Sequence, residues 1–355
     1  MPFRTTATRR IRALSAHLTA AAEELPKVGS GPGGQGFGPR SSKQPPKFGT
    51  SPAETAAAAE FFNAEGYCVV ENVLTAAEIK QLHRWLDDRQ DEGNEPYPDG
   101  RLGPYSGNVL LRDDAEELDR FTRLPTLMPF VDALWGEGNS RFAQFDFRWT
   151  EEKKGPGKMH FHHDAVLPQR VNREPYGQAD WVCSIIYLTD VDADSPCFAV
   201  VPKSVRYEPI TKAKVELGND YVEQPLYGKA GTAVWYDTVS SLALTFIPVP
   251  QQLLTRAAPQ ATYHTRLDSL TGDKGRRTLH QYWSRGGYLK VDGGRPREPT
   301  PNLTNWVRIP KRLAAHPDPN IRLFYSHWNT GQSEWAARGF VGDGTLAGQV
   351  IEQKQ

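Results

Sequence analysis

The sequence predicts a mainly β domain, a sandwich or barrel with helices on its flank, and three observations carry that expectation. Helical periodicity is confined to the part before about Gly136. Short strand-like runs then follow one another as far as Trp283. Turn formers are abundant, with 31 Gly and 28 Pro in 355 residues, which suits frequent reversals between short strands. No internal repeat is present, and the length allows one or two domains with a large core.

The elements follow in order. Residues 1–24 are basic and poor in acid: Arg4, Arg9, Arg10 and Arg12 precede any carboxylate, and no apolar signal core accompanies them. That composition marks a targeting segment. Residues 27–52 are rich in Gly, Pro, Ser and Lys and read as a flexible linker. The expected organisation is therefore a targeting segment and linker over 1–53 and one folded domain over 54–355. Ala56 to Glu65 reads as a helix stopped by Gly66, and Tyr67-Cys-Val-Val70 as a strand. Thr75-Ala-Ala-Glu78 is a capping box opening an amphipathic helix with Ile79, Leu82 and Leu86 on one face. A further helical stretch spans about Leu124 to Leu134. The expected strands are Phe142–Trp149, Val182–Leu188, Phe198–Val201, Thr232–Tyr236 and Arg277–Trp283.

Lys and Arg number 42 and Asp and Glu number 42, so no basic excess points to nucleic acid. No apolar run reaches the ~20 residues of a membrane span. Cys68, Cys183 and Cys197 have neither disulfide-framework nor zinc-motif spacing, which suits a reducing compartment.

The chemistry concentrates in Met159-His160-Phe161-His162-His163-Asp164. In a strand, residues i and i+2 share a face, so His162 and Asp164 offer one imidazole and one carboxylate together. A histidine from a distant strand completes a two-His-one-carboxylate set, which leaves three positions open on Fe(II). His264 and His280 are the downstream candidates. His264 precedes a turn, Gly272 to Gly275, and then Arg276 and Arg277. A fixed arginine there matches the far carboxylate of 2-oxoglutarate. His280 shares parity with Arg276 and lines the pocket, while His160 and His163 read as surface or supporting residues.

At these residues the chain resembles the phytanoyl-CoA dioxygenase family, over roughly Glu54 to Trp283. Phe61-Phe-Asn-Ala-Glu-Gly-Tyr-Cys-Val-Val is similar to the family's F-x-x-x-G-Y-x-V-V opening. Leu124-Pro125 through Leu134-Trp135-Gly136 resembles the helix before the sheet. Tyr187-Leu-Thr-Asp190 and Val200-Val-Pro-Lys-Ser204 resemble the central strand and its V-P-G-S-H turn, here altered at Lys203-Ser204-Val205. Gly231-Thr-Ala-Val-Trp-Tyr-Asp resembles the G-D-x-x-x-F strand before the distal histidine.

The resemblance implies a double-stranded β-helix of jelly-roll type. It implies His162, Asp164 and His264 as the iron ligands and catalytic centre. Arg276 best matches the 2-oxoglutarate arginine. The spacing of twelve from His264 is one longer than expected, so Arg277 stays in play. Gln144 matches a co-substrate contact of ectoine-hydroxylase-like members, with a structural strand glutamine as the alternative. The implied reaction consumes 2-oxoglutarate and O2 at Fe(II), with room for ascorbate as a reductant, releases succinate and CO2, and hydroxylates an aliphatic carbon. Asp164 argues against halogenase chemistry. The substrate is a fatty acyl-CoA in the phytanoyl-CoA 2-hydroxylase manner, or a small metabolite. Lys153, Lys154 and Lys158 suit CoA phosphates or simply a charged loop, and Trp149, Trp181, Tyr187 and Trp235 suit a pocket or the core. A catalytically inactive binding jelly roll and a cupin-like metalloenzyme without 2-oxoglutarate are the remaining classes.

Arg10-Ile11, five residues, then His17-Leu18 looks like a type 2 peroxisomal targeting signal, which implies an import receptor as partner. A mitochondrial or plastid presequence and a cytoplasmic chain are the rival readings.

Residues 239–260 are the largest departure, an atypical insertion of twenty-two residues between the Asp237 strand and His264. A long structureless connection inside a compact domain is unusual. A retained intron accounts for it: Val239-Ser240 can be written GTGAGT, Leu254-Thr255 CTGACN and Gln260 CAG. A lid loop is the alternative.

Overall fold

A computed structural model describes residues 39–89, 109–150, 179–207, 210–240, 262, 264–267, 274–285 and 311–325. The expected targeting signal and the expected ligands His162 and Asp164 lie outside the described residues, as does most of the insertion.

Two sheets form the frame. The chain enters through β1 (Lys47–Phe48), helix α1 (Pro52–Glu65), β2 (Tyr67–Val70) and helix α2 (Ala76–Asp87). Helix α3 (Met128–Trp135) leads into β3 (Ser140–Thr150), β4 (Ala179–Tyr187) and β5 (Cys197–Val200). Helix α4 (Ile210–Leu217), β6 (Gln224–Leu226), β7 (Ala233–Ser240), β8 (His264–Leu267) and β9 (Arg276–Arg285) follow, with α5 (Lys311–Ala314) and α6 (Pro319–Phe324) last. The six-stranded sheet runs β1-β2-β7-β4-β9-β3 and the smaller one β6-β5-β8. Among the described strands the β1–β2 pair alone is parallel, so the large sheet is mixed, and neither sheet closes on itself among the described residues. Mostly sheet with flanking helices, this is the jelly-roll class.

Alternation along each strand assigns two faces to the large sheet. Cys68, Val70, Val182, Ile186, Ala233, Trp235, Leu279 and Trp283 join Ala58, Phe62, Leu82, Trp85, Phe130 and Leu134 of the helices in one core. Trp235 is its hub, with ring centroids 4.6 Å from Phe130 and 4.9 Å from Trp283. Tyr67, Val69, Cys183, Ile185, Tyr187, Val234 and Tyr236 face the other way, onto Cys197, Phe198, Val200 and Leu226 of the small sheet. This second core fixes the space between the sheets as the inside of the jelly roll.

Local signals explain the helix ends. The Thr75 box forms in full: its side chain accepts from the Glu78 N–H, while Glu78 accepts from the Thr75 N–H at 2.8 Å. Helix α1 begins at Pro52, earlier than expected, because Ser51 caps it and Pro is favoured in a first turn. The folded body also starts before residue 54. Lys47 and Phe48 pair with Val69 and Val70, and Glu71 donates its N–H to the Phe48 carbonyl at 2.7 Å. Composition alone reads these residues as linker; an apolar Phe48 packed against the core overrides it.

Candidate active site

Strand β3 stands at the edge of the six-stranded sheet among the described residues and pairs antiparallel to β9, with a register shift between Phe142 and Gln144. The bulge lets Phe142, Phe145 and Phe147 all reach the helix-side core. Gln144, Asp146 and Arg148 are thereby turned to the inter-sheet side. Opposite them stand Tyr282, His280 and Thr278 of β9. This stretch of the inner wall is polar throughout. Arg148 Nη2 lies 2.6 Å from Asp146 Oδ2, and His280 Nε2 lies 3.0 Å from Thr278 Oγ1. Gln144 is 2% exposed, and its Oε1 makes no hydrogen bond among the described residues.

Arg276 and Arg277 open β9 on opposite faces. Arg276 is 5% exposed and acts electrostatically on Tyr187 and Cys197, both residues of the inter-sheet core. Arg277 turns to α2, where its Nη1 sits 2.6 Å from Asp87 Oδ1. The parity that sequence leaves open is thus resolved in space: one arginine is inside the jelly roll and the other is on its helix side.

Burial pushes the Tyr187 phenol well above its ordinary range, with Arg276 opposing. Burial likewise pushes the Cys197 thiol up to about 11, with Arg276 and Arg40 pulling down. Tyr187 and Cys197 are therefore neutral at physiological pH. A buried guanidinium on the inter-sheet face of β9 offers paired donors of the kind that match a carboxylate.

His264 is the first residue of β8, opposite Val200 of β5. The approach to it is pinned: Thr262 donates its N–H to the Asp237 carbonyl at 2.9 Å and its hydroxyl to the Gly66 carbonyl at 2.8 Å. Among the described residues no three His, Cys, Asp or Glu side chains gather into a metal site. Asp146 carries no motif signal; its role on the wall depends on the bulge, which sequence periodicity does not reveal.

A family model described as phytanoyl-CoA dioxygenase (PhyH) matches residues 62–239, half of the chain. The chain belongs to the phytanoyl-CoA dioxygenase family. It is a 2-oxoglutarate-dependent dioxygenase, the activity class of that family. A search of the curated proteins finds no match. Among solved structures, the non-heme α-ketoglutarate-dependent epimerase SnoN from nogalamycin biosynthesis is 17% identical, covering 70% of this chain and 94% of its own, with a TM-score of 0.46. The non-heme α-ketoglutarate-dependent carbocyclase SnoK from the same biosynthesis is 16% identical over 69% of this chain and 93% of its own, TM-score 0.45. EctD from S. alaskensis, solved with bound Fe, is 14% identical over 69% of this chain and 79% of its own, TM-score 0.48.

Proposed function

We propose that this family member is an Fe(II)- and 2-oxoglutarate-dependent hydroxylase of an aliphatic carbon, with His162, Asp164 and His264 as iron ligands and Arg276 as the co-substrate anchor. The observation that carries the reading is the inward, buried position of Arg276 at the start of β9, on the face turned to the small sheet. A bidentate guanidinium there matches the far carboxylate of 2-oxoglutarate and orients the co-substrate. Gln144, across the same wall, supplies an amide to it. Arg277 is left out of the site because Asp87 and His83 hold it on the other face. Bound iron, 2-oxoglutarate and O2 supply the oxidising power; the chain supplies orientation and a space closed to water.

Of the two substrate classes, the inner wall favours a compact polar metabolite over a fatty acyl chain. Gln144, Asp146 and His280 on that wall present hydrogen-bonding groups that a polar substrate can engage and an alkyl chain cannot. The Arg10-Ile11 and His17-Leu18 pattern supports a peroxisomal address and an import receptor as partner; a fluorescent fusion of residues 1–30 that ignores peroxisomes, or keeps them after His17→Ala, would overturn that address.

The test is an anaerobic titration of the full chain with Fe(II) and then 2-oxoglutarate, following the visible charge-transfer band of a chelated keto acid. The band should appear and should be lost in His162→Ala, Asp164→Ala and His264→Ala. Its absence from the parent chain would move the reading to a binding jelly roll. Succinate release with acyl-CoA thioesters and with small polar metabolites then separates the substrate classes.

A further inference from the structure

Arg277 is held through its side chain and both of its backbone groups at the start of β9. Its Nη1 lies 2.6 Å from Asp87 Oδ1 and 3.3 Å from His83 Nδ1. Its backbone N–H donates to Thr189 Oγ1 at 3.2 Å, and its carbonyl accepts from the Leu188 N–H at 3.0 Å. His83 closes the circuit, with Nε2 2.7 Å from the Leu188 carbonyl. A guanidinium only donates, so Nδ1 of His83 accepts, and its Nε2 carries the proton given to Leu188. One side chain of α2 therefore grips both the end of β4 and the start of β9. Asp87 adds a charge-assisted contact to the same guanidinium, whose side chain is 20% exposed against 53% for Asp87.

This grip surrounds the peptide that carries Arg276. Adjacent strand residues point to opposite faces, so fixing the side chain and both backbone groups of Arg277 fixes the direction in which Arg276 leaves the strand. Tyr187, on whose phenol Arg276 acts electrostatically, is the residue just before Leu188 and Thr189, so the same contacts also hold the end of β4 next to it.

We propose that Arg277, clasped by His83 and Asp87 of α2, is a positioning residue that sets the reach of Arg276 into the co-substrate site. The proposal rests on the reading of Arg276 as the 2-oxoglutarate anchor. It makes the helix-side face of the sheet a determinant of co-substrate affinity.

The experiment titrates the full chain, loaded anaerobically with Fe(II), with 2-oxoglutarate, and measures Fe(II) affinity and kcat at saturating co-substrate alongside. Arg277→Ala should raise the 2-oxoglutarate Kd by about tenfold, the loss expected from a small displacement of an oriented group. Fe(II) affinity and kcat at saturation should stay unchanged. Arg277→Lys keeps a cation for Asp87 and should recover part of the affinity. Asp87→Ala should weaken binding in the parent and add nothing in the Arg277→Ala background. Arg276→Ala is the control. If it leaves the Kd unchanged, the anchor assignment fails and the positioning role with it. If it raises the Kd while Arg277→Ala and Asp87→Ala do not, the positioning role alone is overturned. Should Arg277→Ala not fold, Arg277→Lys and Asp87→Ala carry the same comparison.

Discussion

The backbone N–H of Thr262 donates to the carbonyl oxygen of Asp237 at 2.9 Å, across the twenty-two residues 239–260 and their neighbours in the chain. Asp237 itself donates to the Gly66 carbonyl at 2.9 Å, so the residues either side of the insertion meet on one acceptor. In a chain lacking 239–260, Asp237, Thr238, Ala261 and Thr262 are four consecutive residues. The same hydrogen bond is then the i to i+3 bond of a β-turn. The family match also ends at residue 239. Deletion of 239–260 should therefore leave a folded protein. Shortening the connection favours folding by roughly 1–2 kcal/mol, less what is lost with the Val239 and Ser240 pairings on β4. A melting temperature equal to or above the parent's, with the 2-oxoglutarate band retained, is the expected result. A marked fall would make the segment a structural part of the domain, and a mature transcript that carries it would sink the retained-intron account.

Gly66 offers a second test of the same junction. It caps α1 with φ +84, and a Cβ there would run into the Thr262 hydroxyl. Gly66→Ala combines a left-handed backbone with that collision and should cost about 1–3 kcal/mol. Because Thr262 leads into His264, Fe(II) affinity should fall as well. Equilibrium denaturation with a parallel Fe(II) titration measures both; an unchanged Fe(II) affinity would mean that the turn does not control the β8 histidine.

How much of this was legible follows from how local each cause is. The Thr75 box and the Gly66 stop lie within a few residues of the elements they bound, and both appear as expected. The apolar run Val182–Leu188 announces itself by composition. Strand β1 does not: two residues, one of them Lys, are held by pairing with β2 rather than by propensity. Helix α4 carries weak periodicity, whereas the 3-10 stretch Asp113–Arg123 does carry an apolar face of Ala115, Leu118 and Phe121, spaced by three, and was open to being read. In the site, residue types near His162 and His264 were readable, whereas facing directions were not. Arg276 and Arg277 are equivalent in one dimension and opposite in three, and the Gln144 and Asp146 orientation depends on a bulge of one residue.

Gln144→Leu separates a co-substrate contact from a structural glutamine. With Oε1 unbonded among the described residues and 2% exposure, an apolar replacement removes a buried acceptor and should be neutral or stabilising by about 1 kcal/mol. At the same time 2-oxoglutarate affinity should drop several-fold. Lost stability with unchanged affinity would assign the side chain to the strand instead.

Arg276→Lys tests the geometry of the anchor rather than its charge. A lysine keeps the cation but cannot present two parallel donors. The KM for 2-oxoglutarate should rise by roughly 10–100-fold, with kcat at saturation little changed, since the lost contact is made equally in ground and transition states. Steady-state kinetics over a wide 2-oxoglutarate range measures this; a fall in kcat with KM constant would place Arg276 in the chemistry and not in binding.

Acid should expose the brace over Trp85. The Arg112 guanidinium, with Arg89, holds the Asp114 carboxyl down to about 2, while Arg89 also lies over the Trp85 ring at 4.2 Å from its centroid. A depressed carboxylate pKa contributes stability that is complete above the unfolded value of about 3.9 and fades as pH falls towards 2. The Asp114 side chain is 42% exposed, so solvent screening keeps the contribution small. The melting temperature of the parent should exceed that of Asp114→Asn by a few degrees or less above pH 5. That gap should narrow from pH 4 downwards and close near pH 2. It should also shrink in high salt at neutral pH. A gap independent of pH would show that the substitution acts through packing on Trp85 and not through the ion pairs.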